Sequence, residues 1–171
     1  GLSGAIEIGK THHEVQEANP DRLVLATFNL AHGRGRGLSH LTMRRSRVER
    51  NLAEAAACLQ ARPVDVLALQ EVEAEMLMHK NLHQSRELAT QAGFRHFVQG
   101  QHMHHKRYSY GTALLSKTLV DQAESHTFPA TGLAFSKGLV IAELESIYGH
   151  KFRVVSLHLD FLHAKVRQRQ I

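Results

Sequence analysis

Cysteine is nearly missing from this chain: Cys58 is the single one among 171 residues, and there is no tryptophan. One cysteine excludes an internal disulfide framework and any CxxC zinc site. Set in an Ala-rich helical stretch, it reads as a small buried hydrophobe. Long apolar runs are missing too. Residues 23–28 and 113–115 are strand-sized, so nothing reads as a bilayer span. No segment is of low complexity, and no period of about 20–50 residues recurs, which excludes solenoids and propellers. The sequence starts at Gly1 without a Met and shows no charged stretch followed by an apolar one, so either a removed leader or an internal start is expected. A cytoplasmic setting is the expectation, with a secreted or periplasmic one left open. Residues 161–171 read as the opening of a helix without a Gly or Asn stop signal, so a chain cut short is expected.

What is present is a globular composition. Hydrophobic residues make up 43% and charged residues 22%, which excludes an intrinsically disordered chain and fits one domain or a large piece of one. Lysine and arginine number 21 against 16 acidic residues, for a net charge of +5 with histidine neutral. Fourteen histidines add positive charge below about pH 6.5. The excess suits a phosphate-bearing partner, and it suits many other soluble proteins equally well. At 6% aromatics, no basic groove interleaved with stacking rings is evident.

The pattern of elements is mixed. Residues 1–21 read as an N-terminal extension and 22–171 as the domain. RLVLATFNL at 22–30 is a β-rich run after the Asn19-Pro20-Asp21 turn. A flexible loop follows, with Gly33, Gly35 and Gly37 around Arg34, Arg36 and His40. Thr42 is placed to cap a helix over 43–60, with Val48, Leu52, Ala55, Ala56 and Leu59 on one stripe. VDVLALQEV at 64–72 is the near-continuous apolar run of a strand covered on both faces. A second helix over 81–92 is stopped by Gly93. Strands are expected at 94–99, 111–116, 123–128, 139–144 and 152–159, with a polar loop at 102–108. At least six strands with two early helices make a mixed α/β or α+β domain.

Asn29 and Glu71 are the informative pair, each a polar residue at the C-terminal end of an apolar strand. Ligands collect at such ends, and if the two strands are neighbours the amide and carboxylate converge. Hard oxygen ligands of this kind suit Mg²⁺ or Mn²⁺. The plainer alternative is that Asn29 starts a turn and Glu71 is solvated where its strand exits. RVVSLHLD places Val154, Ser156, His158 and Asp160 on one strand face. His158 there can donate to a phosphate oxygen or shuttle a proton, or it can be structural. Asp160 reads as a helix cap, and Arg167 lies too far along that helix to be a simple capping partner.

Five segments, TFNL (27–30), VDVLALQEV (64–72), YGTALLSK (110–117), KGLVIAEL (137–144) and SLHLD (156–160), stand in an order and spacing that resembles the endonuclease/exonuclease/phosphatase superfamily, the DNase I-like phosphohydrolases. The resemblance runs from about residue 23 onward, and the ordered set carries it rather than any one motif. It implies a DNase I-like four-layer α+β fold, two sheets face to face with flanking helices, incomplete at the C-terminus. It implies Glu71 as the Mg²⁺ or Mn²⁺ carboxylate with Asn29 as its amide neighbour, and His158 as the phosphate-binding histidine. It implies a phosphate-contacting tyrosine, for which Tyr110 is favoured over Tyr108, and an Arg and a Gln on a following helix, as Arg167 and Gln170 are here. The family's G-D-x-N segment and its final D-H pair are absent, so half of the catalytic set is missing. Strands of this chain then lack partners, and poor solubility or a second chain completing the sheet is expected.

His102, His104 and His105 tempt a zinc reading. HxHH lacks the helical i, i+4 spacing of a catalytic zinc site, and a solvent-exposed loop or substrate rim is the expectation. Arg34 and Arg36 are candidate contacts to substrate phosphates, with a mobile solvated loop as the alternative. The function expected is therefore a divalent-metal-dependent phosphodiesterase acting on a phosphate ester, nucleic acid included. A phosphatase of lipid or sugar phosphates and a non-catalytic binding scaffold are the rivals.

Overall fold

The computed structural model describes residues 2–15, 21–33, 44–76, 82–105, 108–129, 136–160 and 163–170. Two sheets pack face to face. The five-stranded sheet contains β2 (Ala5–Lys10), β3 (Leu25–Asn29), β4 (Val66–Met76), β5 (His96–His105) and β6 (Tyr108–Ser116), in the order β2-β5-β6-β4-β3. The four-stranded sheet contains β1 (Leu2–Ser3), β7 (Leu119–Thr127), β8 (Gly138–Glu145) and β9 (Lys151–His158), in the order β1-β7-β8-β9. Helices α1 (Arg45–Gln60) and α2 (Gln84–Ala92) pack on the first sheet, and α3 (Ala164–Gln170) follows β9. This is the expected α+β sandwich. No helix among the described residues is long and apolar enough to cross a membrane.

β4 explains the layering. Its run is apolar at nearly every position because both faces are covered. Leu67, Leu69 and Val72 join Val48, Leu52, Leu88, Phe94, Phe97 and Leu115 in the core under the helices. Val66 turns the other way, into a second core with Val98, Leu114, Val140, Ala142 and Leu144 between the sheets. β3 lies parallel to β4, Leu25 opposite Val66 and Asn29 opposite Gln70, with α1 as the crossover. The other pairings are antiparallel.

Several expectations shift. α1 begins at Arg45 after an extended Arg44 that makes no side-chain cap, two residues later than its pattern predicts, and Thr42 lies outside the described residues. Cys58 is exposed, not buried, because the helix turns it away from the stripe of Val48, Leu52 and Ala56. The polar loop expected at 102–108 is largely strand. β5 continues to His105 and β6 starts at Tyr108, with 106–107 outside the described residues. His102 is tolerated in the strand because both ring nitrogens are engaged, Nε2 with Thr112 Oγ1 at 2.8 Å and Nδ1 with Thr127 Oγ1 at 3.2 Å. The N-terminal residues form two strands that pair with β7 and β5. β3 and β9 are edge strands, and they leave Leu25, Phe28, Val155 and Leu157 exposed.

Candidate active site

The parallel pairing of β3 and β4 brings Asn29 and Glu71 to the same end of the sheet. Asn29 Oδ1 accepts the Ala31 N–H at 2.8 Å, and Nδ2 donates to Glu71 Oε1 at 3.2 Å. The amide therefore fastens the turn after β3 to a carboxylate at a bulge within β4, which runs on to Met76 where the apolar pattern predicts that the strand ends at Glu71. β9 arrives from the other sheet and is tied to β4 by a buried hydroxyl. Ser156 Oγ donates to the Leu69 carbonyl at 2.8 Å and lies 3.3 Å from Gln70 Nε2. Two residues on, His158 Nε2 stands 3.7 Å from Glu71 Oε1.

The backbone here is unusual. Among the described residues the non-glycine residues with positive φ are Ala31 (49°), His32 (57°) and Glu71 (54°), and all three belong to this end of the molecule. A left-handed residue with a side chain costs about 1–3 kcal/mol, so such conformations persist only where the surroundings hold them, and they cluster at functional sites. At Glu71 the strain coincides with a break in the β4–β6 register between Leu69 and Val72. The bulge re-aims the carboxylate out of the strand.

Sequence reasoning missed His32, Glu73 and Lys137. His32 Nε2 lies 3.6 Å from Glu71 Oε2, and its Nδ1 lies 3.6 Å from Glu73 Oε1. A signal was available: His32 is three residues past Asn29, and Glu73 is two past Glu71. Burial pushes the Glu71 carboxyl up, but the Asn29 hydrogen bond and the charges of His32, His158 and Lys137 outweigh it, so its pKa lies below the usual carboxylate value. Glu71 stays ionised and is 22% exposed, so it is open to a ligand. Glu73 is 2% exposed, and burial pushes it up to about 8. Two carboxyls two residues apart thus hold opposite protonation states at neutral pH. Burial lowers His158, aided by Lys137 and opposed by Glu71. Burial also lowers Lys137, against the pull of Glu71 and Asp160.

Tyr110 is buried, opposite Glu73 in the β4–β6 ladder, and its ring meets the His32 imidazole edge-on with centroids 5.0 Å apart. It sits behind His32 rather than on the open face. Arg34 and Arg36 lie outside the described residues. Asp160 is buried, and its Oδ1 accepts the His163 N–H at 2.7 Å just before α3, which is the capping geometry expected of it. Arg167 does reach it, donating from Nη1 to the Asp160 carbonyl at 3.1 Å. Gln170 Oε1 accepts the Asp160 N–H at 2.9 Å.

For a metal, the described residues offer no group of three or more His, Cys, Asp or Glu. The donors at hand are one ionised carboxylate and one carboxamide. That set fits a hard cation that keeps most of its water, and it does not fit a tetrahedral zinc site.

The sandwich thus gathers an Asn from the end of one strand, a Glu from the bulge of its parallel neighbour and a His from the facing sheet. The Endonuclease/Exonuclease/phosphatase family model matches residues 26–162, and the chain belongs to that family. Its fold is similar to that of an endonuclease/exonuclease/phosphatase family protein from Leptotrichia buccalis C-1013-b, with a TM-score of 0.57 and 14% identity. The match covers 85% of this chain and 56% of that one, so the chain spans little more than half the length of that relative. No curated protein matches it.

Proposed function

We propose that this chain carries the divalent-metal half of a phosphodiesterase site, with Glu71 as the Mg²⁺ or Mn²⁺ carboxylate and Asn29 as the amide that orients it. The observation that carries the reading is the Glu71 carboxylate, kept ionised and partly open in a ring of His32, His158 and Lys137. Burial alone would neutralise this carboxyl, as it does Glu73. When bound, a divalent cation supplies charge neutralisation and polarisation of a phosphoryl oxygen.

The chain's own residues do the rest. His158 and Lys137 present N–H donors toward the same space and bind phosphate oxygens there, and charge developing on those oxygens strengthens their hold. Asn29 fixes the Glu71 rotamer. Tyr110 acts by packing on His32, which leaves His32 facing both carboxyls. Arg34 and Arg36 follow directly on this turn, and as guanidinium forks they suit the outer phosphates of a longer substrate.

The test is hydrolysis of bis(4-nitrophenyl) phosphate by the intact protein, with Mg²⁺ or Mn²⁺ and with EDTA, alongside Glu71→Gln. The substitution keeps shape and removes charge. Metal affinity and turnover should fall together, and chelation should abolish turnover in the wild type. A rate indifferent to EDTA, or unchanged metal affinity in Glu71→Gln, would overturn the assignment. Phosphodiester binding without cleavage would point to a scaffold. A nucleic-acid substrate would show affinity falling steeply with salt.

A further inference from the structure

Two fully buried glutamines stand next to the site, and neither is accounted for by the chemistry above. Gln84, the first residue of α2, and Gln99 on β5 are both 0% exposed. Gln99 Nε2 donates to the Val72 carbonyl at 3.2 Å. Gln84 Oε1 accepts the Glu73 N–H at 3.1 Å. That carbonyl and that N–H belong to one peptide group, the one that follows the bulge at Glu71. Pairing between β3 and β4 ends at Asn29 and Gln70, so beyond that point the Glu73 N–H is met by a side chain instead of a strand.

The carboxamides are themselves held. Gln84 Nε2 donates to the His32 carbonyl at 2.9 Å and to Glu73 Oε2 at 3.2 Å, while the Ser85 hydroxyl donates to Gln99 Oε1. Gln84 thereby links both strained segments of the site: the left-handed turn at Ala31 and His32, and the left-handed Glu71. Gly33 belongs to the same arrangement, since a Cβ there would come within 2.9 Å of Gln84 Nε2. A leucine or methionine would fill the same volume without any polar group to desolvate. What the amides supply is partners for main-chain groups that the sheet leaves over.

We infer that Gln84 and Gln99 are positioning residues, whose carboxamides clamp the Val72–Glu73 peptide from both ends and so hold the left-handed backbone that aims the Glu71 carboxylate. The functional consequence rests on Glu71 being the metal carboxylate; the clamp itself does not. Outer partners of metal ligands set affinity by orienting the ligand, and their loss costs about 10- to 100-fold.

The experiment uses the intact protein, with amide hydrogen exchange by NMR and Mn²⁺ titration calorimetry. In the wild type the Glu73 amide should be protected although no strand covers it; exchange at the rate of an open amide overturns the clamp. In Gln84→Met the Glu73 amide should exchange at least about tenfold faster while Leu67 and Leu114 keep their protection. Mn²⁺ affinity should fall about tenfold or more. A merely structural glutamine would lower protection everywhere and leave the folded fraction with wild-type Mn²⁺ affinity, and that result overturns the inference. If the wild type binds no Mn²⁺, the metal reading fails. The clamp is then judged by the Glu71 ¹³Cα shift, which should lose its left-handed value in Gln84→Met; an unchanged shift overturns it. Gln99→Met, read in the same ways, serves if Gln84→Met does not fold.

Discussion

The five-stranded sheet is covered on both faces, by α1 and α2 on one side and by the second sheet on the other. The four-stranded sheet turns one face to water. β8 shows the difference residue by residue, alternating buried and half-buried along its whole length. Its outer side carries exposed ion pairs, Arg153 with Glu143 and Lys151 with Asp121 and Glu145. The candidate site draws Asn29, Glu71 and Glu73 from the covered sheet and His158 from the edge of the half-open one. Glu71 and Glu73 diverge because burial acts unopposed on Glu73, whereas at Glu71 the Asn29 hydrogen bond and the neighbouring positive charges outweigh it. Charges on the open face are solvated and cheap. The same kinds of side chain make up the candidate site in one sheet and exposed ion pairs in the other.

The largest expected effect lies in the covered sheet. Leu67 is completely buried against the helices, and Leu67→Ala should cost about 2–5 kcal/mol in chemical denaturation. A loss below about 1 kcal/mol would mean that the helix layer is loosely packed.

Next is His158, the one site residue that the half-open sheet contributes. His158→Ala should lower kcat on a phosphodiester by about 10²-fold with a smaller change in KM and little change in Tm. A Tm drop of several degrees with turnover per folded molecule intact would make His158 a packing residue.

A third test uses pH. Burial, reinforced by nearby positive charge, holds His96 and His102 down to about 4 in the folded protein, against an ordinary value of 6.5. The unfolded chain takes up these protons near pH 6.5 and the folded one resists until about pH 4. Their contribution is therefore fully present above pH 6.5 and is lost as pH falls from there toward 4. Tm should decline across that window, and His102→Gln should flatten the decline. A Tm that holds steady from pH 6.5 to 4 would count against both histidines being neutral.

The smallest effect belongs to the open face: Arg153→Ala should cost at most about 1 kcal/mol, and added salt should shrink the difference. A larger loss would show that this face is covered in solution.

Much of this was legible from residue pattern alone. The apolar run of β4 announced a strand covered twice, and the polar residues that follow the apolar runs of β3 and β4 meet because the parallel pairing stops there, at Asn29 and Gln70. The αL cap at Gly93 was plain in the sequence, and its φ is 82°. The rest was hidden for identifiable reasons. His102 looked like loop because histidine is polar, and only its two threonine partners, 10 and 25 residues away, make it a strand residue. The bulge at Glu71 left no mark because the left-handed residue is a glutamate where a glycine would have signalled the turn. Gln84 carried no signal, since the main-chain groups it serves are 11 and 52 residues distant. AIEIGK is too short and too charged to stand out, and it becomes a strand only against β5.

The pairing of those first strands also orders events in time. β7, β8 and β9 are consecutive and antiparallel, so each hairpin can close as soon as its own residues exist. β2 must wait for its partner, since Ile6 pairs with Gly100, and β1 must wait longer, since Leu2 pairs with Thr127. During synthesis β2 therefore stays unpaired until β5 has been made, and β1 until β7 has been made. Until then the strand left bare is β2 itself, an unpaired edge carried by the growing chain.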